Sequence, residues 1–170
     1  MKILVFSDSH NNVSNMYEIA RSCTDASLIV HLGDMCVDYK KIKSSFPDVP
    51  SIAVKGNNDY FENEFDFDYV ANFEGVKCLF THGHRYSVKG GVSTLLGRAR
   101  ILGTRLALFG HTHMPYKEKI GDTLLFNPGS IGYGRPATFG IIHLDNSVIQ
   151  SADILTYDAQ TKNIDFLKNF

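Results

Sequence analysis

Apolar residues along this chain come in short blocks, and each early block stops at a polar turn. Lys2 to Phe6 is a run rich in branched side chains, which predicts a buried strand. Val13, Met16, Tyr17 and Ala20 then recur at helical spacing, with Asn11 or Asn12 before them as an N-cap. Leu28-Ile29-Val30 predicts a second strand running into Gly33-Asp34. A weaker helix is expected over Tyr39 to Phe46, closed by Pro47. Ser51 to Val54 predicts a third strand, ending at Gly56-Asn57-Asn58-Asp59. Strand, helix, strand, helix, strand in this order implies parallel pairing with right-handed crossovers.

Beyond Asp59 the aromatic and acidic stretch Tyr60 to Tyr69 follows neither period. Val76 to Phe80 predicts a strand that ends at Thr81-His82-Gly83-His84. Val92, Leu95, Leu96 and Ala99 mark a helix, and Arg105 to Phe109 a strand ending at Gly110-His111-Thr112-His113. Four further strands, Tyr116 to Ile120, Thr123 to Phe126, Thr138 to Leu144 and Val148 to Tyr157, alternate with turns and read as antiparallel hairpins. No repeat, low-complexity tract or linker divides the chain. The expectation is one α/β domain over residues 1–170, parallel in its N-terminal half and built from hairpins toward the C-terminus.

Composition narrows the class. The chain has 170 residues, 44% hydrophobic and 21% charged, which excludes disordered and coiled-coil readings. Seventeen Lys and Arg against eighteen Asp and Glu leave no bias toward a nucleic-acid polymer or an anionic membrane. No apolar run reaches the ~20 residues of a membrane span, and the run at Met1 to Phe6 is too short for a signal peptide. The three cysteines, Cys23, Cys36 and Cys78, form no Cys-x-x-Cys pair and read as thiols in a reducing, cytoplasmic setting.

The chemistry gathers at the strand ends. Asp8-x-His10, Gly33-Asp34, Gly56-Asn57-Asn58-Asp59, His82-x-His84 and Gly110-His111-x-His113 each follow a predicted strand. Ligands of open α/β sheets bind outside the carboxyl ends of strands, so the five clusters are expected at one rim. Each taken alone also reads as a turn or a surface loop. Imidazole nitrogens with hard oxygens suit Mn, Fe, Zn or Ni, and seven or eight such groups exceed the needs of one ion. Two metals about 3.5–4 Å apart, as in phosphatases and nucleases, would use them all.

The ordered set Asp-x-His, Gly-Asp, Gly-Asn-x-Asp, His-Gly-His and Gly-His-Thr-His, followed by Asn127-Pro128-Gly129-Ser130, resembles the calcineurin-like metallophosphoesterase superfamily. The likeness is to its small phosphodiesterases, relatives of the small retromer subunit. It implies a four-layer α/β/β/α sandwich with mixed sheets. It further implies two divalent ions, Mn first and Ni, Zn or Fe as alternatives. By motif position, Asp8, His10 and His113 would hold one ion, Asn57, His82 and His111 the other, and Asp34 would bridge them. The implied reaction is hydrolysis of a small phosphodiester by a metal-bridging hydroxide.

Asn58 departs from the pattern, because many members of the superfamily carry His there. An amide cannot act as a general acid, so esters with good leaving groups are the expected substrates. Asp34, Asn58 and His84 are the expected catalytic residues, with His84 turned toward His82 if its strand continues. Asp59 is expected to support the site from behind or to shape the turn. Arg135 is the leading candidate for substrate phosphate, ahead of Arg85 and Arg98. His31 and His143 are expected to be structural. The alternative function is a protein-binding scaffold with the same fold, and the hairpin-rich C-terminal third offers an edge strand for self-association. A third reading, a nuclease, lacks a basic stripe.

Overall fold

The computed structural model describes residues 1–167, so the last three positions of the expected 1–170 unit lie outside the described residues. In chain order the elements are β1 (Lys2–Phe6), α1 (Val13–Ser22), β2 (Leu28–His31), α2 (Cys36–Ser45), β3 (Ser51–Ala53), β4 (Asp68–Phe73), β5 (Val76–Thr81), α3 (Ser93–Leu102), β6 (Leu106–Leu108), β7 (Pro115–Ile120), β8 (Thr123–Pro128), β9 (Ala137–Asp145), β10 (Val148–Tyr157) and β11 (Ile164–Phe166). They form a six-stranded sheet, β11-β10-β9-β1-β2-β3, and a five-stranded sheet, β4-β5-β6-β8-β7.

The period-2 geometry of β1 explains the layering. Ile3 and Val5 point between the sheets, where they meet Phe80, Leu108 and Phe126 in one buried cluster. Leu4 and Phe6 point the other way and pack with Met16 and Ile19 of α1 and Ile42 of α2. On the far side, Leu95, Leu96 and Ala99 of α3 cover Leu79, Ala107 and Leu125 of the second sheet. Strands buried on both faces cannot alternate apolar with polar, which is why the early runs look continuous. The result is an α/β/β/α sandwich. Phe126 is fully buried between the sheets, and its truncation to Ala is expected to cost about 3–5 kcal/mol.

Pairing follows the sequence reading in part. Strands β1, β2 and β3 are parallel, and β9 and β10 are an antiparallel pair. However, β8 is not merely half of a hairpin: it is antiparallel to β7 and parallel to β6, which is itself parallel to β5. The later strands therefore build a second mixed sheet. Strand β4, with Tyr69 and Val70 among its exposed residues, lies at the sheet edge and gives no clean alternation. It pairs antiparallel with β5 across Glu74-Gly75. β11 is likewise a three-residue edge strand that the apolar pattern does not announce.

Candidate metal centre

The five polar clusters come from two sheets facing each other, not from one rim. Asp8, Asp34 and Asn57 follow β1, β2 and β3 of the first sheet, while His82 and His111 follow β5 and β6 of the second. Five of the seven expected ligands, Asp8, His10, Asp34, His111 and His113, have positive φ, between 44° and 69°. Each left-handed non-glycine residue costs on the order of 1–3 kcal/mol, a strain that concentrates at functional sites. Two glycines allow the loops to close. A Cβ on Gly56 would stand 2.1 Å from Asp34 Oδ1, and one on Gly110 would stand 1.9 Å from Ser7 Oγ.

The donor atoms converge. Asp8 Oδ2 accepts hydrogen bonds from Ser7 Oγ at 2.6 Å and from the His111 backbone N–H at 3.0 Å. Its other oxygen, Oδ1, is buried without a hydrogen bond, 3.2 Å from His113 Nε2 and 3.9 Å from His82 Nε2. His10 Nε2 faces His113 Nε2 at 3.2 Å. Next to them, His82 Nδ1–H donates to the Leu32 carbonyl at 2.8 Å, which turns the Nε2 lone pair toward Asn57 Oδ1 at 3.2 Å and Asp34 Oδ1 at 3.5 Å. The His111 ring lies 5.0 Å from that of His82.

Residues outside the donor set brace it. The buried Asp59 carboxylate accepts N–H bonds from Asp34, Met35, Cys36 and Gly56 at 2.7–2.9 Å, tying the second and third loops together and capping α2. Burial raises its carboxyl, but the N–H groups of Cys36 and Gly56 outweigh this and hold it below the usual carboxylate range. Asn127 Nδ2 donates to the Gly110 carbonyl and to Thr112 Oγ1, both at 3.0 Å. Ser130 Oγ donates to the Asp8 carbonyl at 2.8 Å. The segment Asn127-Pro128-Gly129-Ser130 thus holds the Asp8 and His111 loops to each other.

Proton affinities follow from burial. His10 and His84 are pushed down by desolvation, and His111 falls to about 4 through burial and then the repulsion of His82 and Lys89. His113 moves up because Asp8 sits against it. Asp8 is raised by burial but lowered further by the neighbouring His113 and the charge of His82. The lowered imidazoles of His10 and His111 and the ionised Asp8 are the protonation states that metal binding requires, whereas His113 would have to release its proton to bind an ion.

The residues fit a divalent ion. One ligand atom each from Asp8, His10, Asp34 and His113 all lie within 4.8 Å of one another. The orphaned Asp8 Oδ1 is the second sign, because a buried carboxylate oxygen without a donor is costly unless a cation faces it.

Other expected residues fall differently. Strand β5 ends at Thr81, just before His82, and Gly83, at φ 99°, leads His84 into a short 3-10 turn. Its ring still comes within 5.4 Å of His82 and 6.1 Å of His111, with Nδ1 buried and unpartnered. Asn58 is exposed, and its Nδ2 and backbone N–H donate to Asp34 at 2.7 and 2.9 Å. Arg135 lines a separate groove with Asn12, Asn15 and Gln160, which none of the seven expected ligands lines. Arg85 lies over the Phe67 ring at 4.7 Å. His31 is buried and His143 pairs with Ser151 across β9 and β10. Within Tyr60 to Tyr69, Phe65 and Phe67 meet Tyr39 and His84, whereas Phe61 is 95% exposed. Tyr133 was not expected: its ring stacks on His113 and tilts against His10 at 5.6 and 4.4 Å. Only the loop after Ser130 hinted at it.

Comparison with known proteins agrees with this geometry. A family model described as the calcineurin-like phosphoesterase superfamily domain matches residues 1–147. The probable metallophosphoesterase YsnB of Bacillus subtilis is 31% identical over 99% of this chain and 98% of its own. Phosphodiesterase MJ0936 of Methanocaldococcus jannaschii is 28% identical over 84% and 92%. Among solved structures, a Vps29 variant from Entamoeba histolytica superposes with a TM-score of 0.78 over 98% of both chains at 19% identity, a likeness of fold alone. With the family's strand-end motifs, its sandwich and a donor cluster fit for a divalent ion all present, the chain belongs to the calcineurin-like phosphoesterase superfamily.

Proposed function

We propose that this protein is a metal-dependent phosphodiesterase acting on small phosphodiesters, with the whole of residues 1–170 as its catalytic domain. The observation that carries the reading is the bare, buried Asp8 Oδ1 within the convergent group Asp8, His10, Asp34 and His113. A second ion would use Asn57, His82 and His111, with Asp34 shared. Asp34 supports that role by standing between the His82 ring and Asn58. Two divalent ions, Mn by preference, would activate water for attack at phosphorus and neutralise the charge building on the non-bridging oxygens.

The chain's own residues do the rest. Asn58, exposed at the mouth of the site, offers a neutral N–H donor to a phosphate oxygen but no proton to a leaving group. His84 turns a half-buried ring toward His82 and His111 and orients what binds beside them. As a phosphorus–oxygen bond to water forms, the bond to the leaving oxygen breaks. With no acid from Asn58, that oxygen departs best as a stable aryl or phosphate anion. The alternative, a catalytically weak scaffold, fits the Vps29 fold neighbours but leaves the full donor set without a purpose.

The test is hydrolysis of an aryl phosphodiester beside the matching monoester, on metal-stripped protein resupplied with Mn, Ni, Zn or Mg. Diester turnover that returns with metal and is lost in Asp34→Ala is expected. Absence of turnover with every metal, despite bound ions, would overturn the reading and favour the scaffold.

A further inference from the structure

A groove of about 600 Å³, within the size range of small-molecule sites, opens along the loop that carries His111 and His113, although none of the seven expected ligands lines it. Its walls are Val88, Val92, Pro115, Tyr116 and the 70% exposed Met114. Its closest link to the centre is Thr112, which lines it and stands between His111 and His113. Gly90 and Gly91 form an open ledge, since a Cβ on either would meet nothing within 4 Å. Lys89 sits at the same edge, and among the described residues it has no ion-pair partner.

We infer that this groove is the subsite for an aromatic substituent of the phosphodiester substrate, with Lys89 holding the anionic phosphate between groove and metal centre. The inference rests on the phosphodiesterase reading and names its substrate class. Three features select the occupant. The walls are apolar, with an aromatic ring and a thioether that favour contact with another ring. The glycine ledge presents bare backbone over which a flat group can lie. The single unpartnered cation complements a phosphate and not a neutral hydrocarbon. A dialkyl diester would leave the groove empty, whereas an aryl or nucleoside ester would fill it.

Gly90→Trp fills the ledge from a backbone position with negative φ and open space around it, and Met114→Ala thins the opposite wall. Two readouts are compared: the ratio of kcat/KM for a naphthyl methyl phosphodiester to that for dimethyl phosphate ester analogues, and direct binding of naphthyl phosphonate followed by calorimetry. The ratio is expected to fall about tenfold or more in Gly90→Trp and by a few-fold in Met114→Ala, the range an apolar pocket discriminates. Lys89→Met should weaken phosphonate binding while sparing binding of neutral naphthol. An unchanged ratio in both groove variants, with hydrolysis intact, overturns the subsite and leaves the enzyme reading standing. If no ester is hydrolysed, the enzyme reading fails and binding decides: loss of phosphonate binding in Gly90→Trp supports the groove, and equal binding overturns it.

Discussion

The Asp59 carboxylate accepts the Asp34 backbone N–H at 2.9 Å, so the residue proposed to bridge two ions is itself positioned by a second acid on a different loop. The same carboxylate holds Gly56, and this couples the loop after β2 to the loop after β3. Neither loop has regular structure of its own to fix it.

Asp59→Ala removes the shared acceptor and strands four N–H groups. A loss of about 3 kcal/mol in urea unfolding is expected, since each buried donor left unpaired is expensive. Divalent-ion binding measured by calorimetry should weaken about tenfold, the usual effect of losing a group that orients a ligand. Binding equal to that of the unaltered chain would show that Asp34 holds its place without Asp59.

His31 predicts an acid-labile fold. Its Nε2–H donates to Ser9 Oγ, which donates to Asp38, and its Nδ1 accepts the Gly33 N–H. Burial pushes its proton affinity down to about 4, so the folded state needs the neutral ring. The unfolded chain takes a proton below about pH 6.5, and stability is therefore full above that value and falls as pH drops toward 4. The share lost between pH 7 and pH 5 is about 2 kcal/mol. Urea unfolding of metal-free protein at both values should show this slope reduced by that amount in His31→Gln. Parallel pH profiles for the two chains would remove His31 from the account.

Asn58→His places an acid where the chain has an amide. The rate on an alkyl phosphodiester should rise about tenfold or more, and the rate on an aryl phosphodiester much less, because only poor leaving groups need a proton. The measurement is the slope of rate against leaving-group pKa, which should flatten. A fully metallated, folded variant with the original slope would mean that protons reach the leaving oxygen by another route.

Gly110→Ala tests the closeness of the two sheets at the centre. The new methyl would stand 1.9 Å from Ser7 Oγ and 2.7 Å from Asp8 Oδ2. Overpacking of this kind costs about 1–3 kcal/mol, and here it also displaces Asp8. Thermal unfolding and metal affinity should fall together; a fall in stability alone would separate the loop from the ligand.

Much of this architecture is legible in local pattern. Runs such as Ile3 to Phe6 must be covered on both faces, and Val13, Met16 and Ala20 share one face of a helix, so β1 and α1 follow from spacing. The candidate ligand loops are legible because each sets Asp, Asn or His directly after a strand, four of the five with a glycine among them. Strand β4 was not legible: an edge strand needs no regular alternation, and its partner β5 supplies the order.

His84 shows the limit most clearly. Its approach to His82 was expected from a continuing strand, yet the strand stops at Thr81 and a 3-10 turn after Gly83 brings the ring beside His82. Tyr133 carried only the hint of following the Ser130 loop, because a tyrosine in a loop acquires its neighbours only from what the fold sets beside it. The sequence by itself determined most of the elements, β4 and β11 apart, and which polar clusters end them, since periodicity and turn chemistry act over a few residues. Only the tertiary structure decided that the donors of two sheets meet, that Asp59 and Ser130 hold their loops, and that a groove adjoins them. Those contacts join residues as far apart as Asp8 and Ser130, and no local pattern encodes such closure.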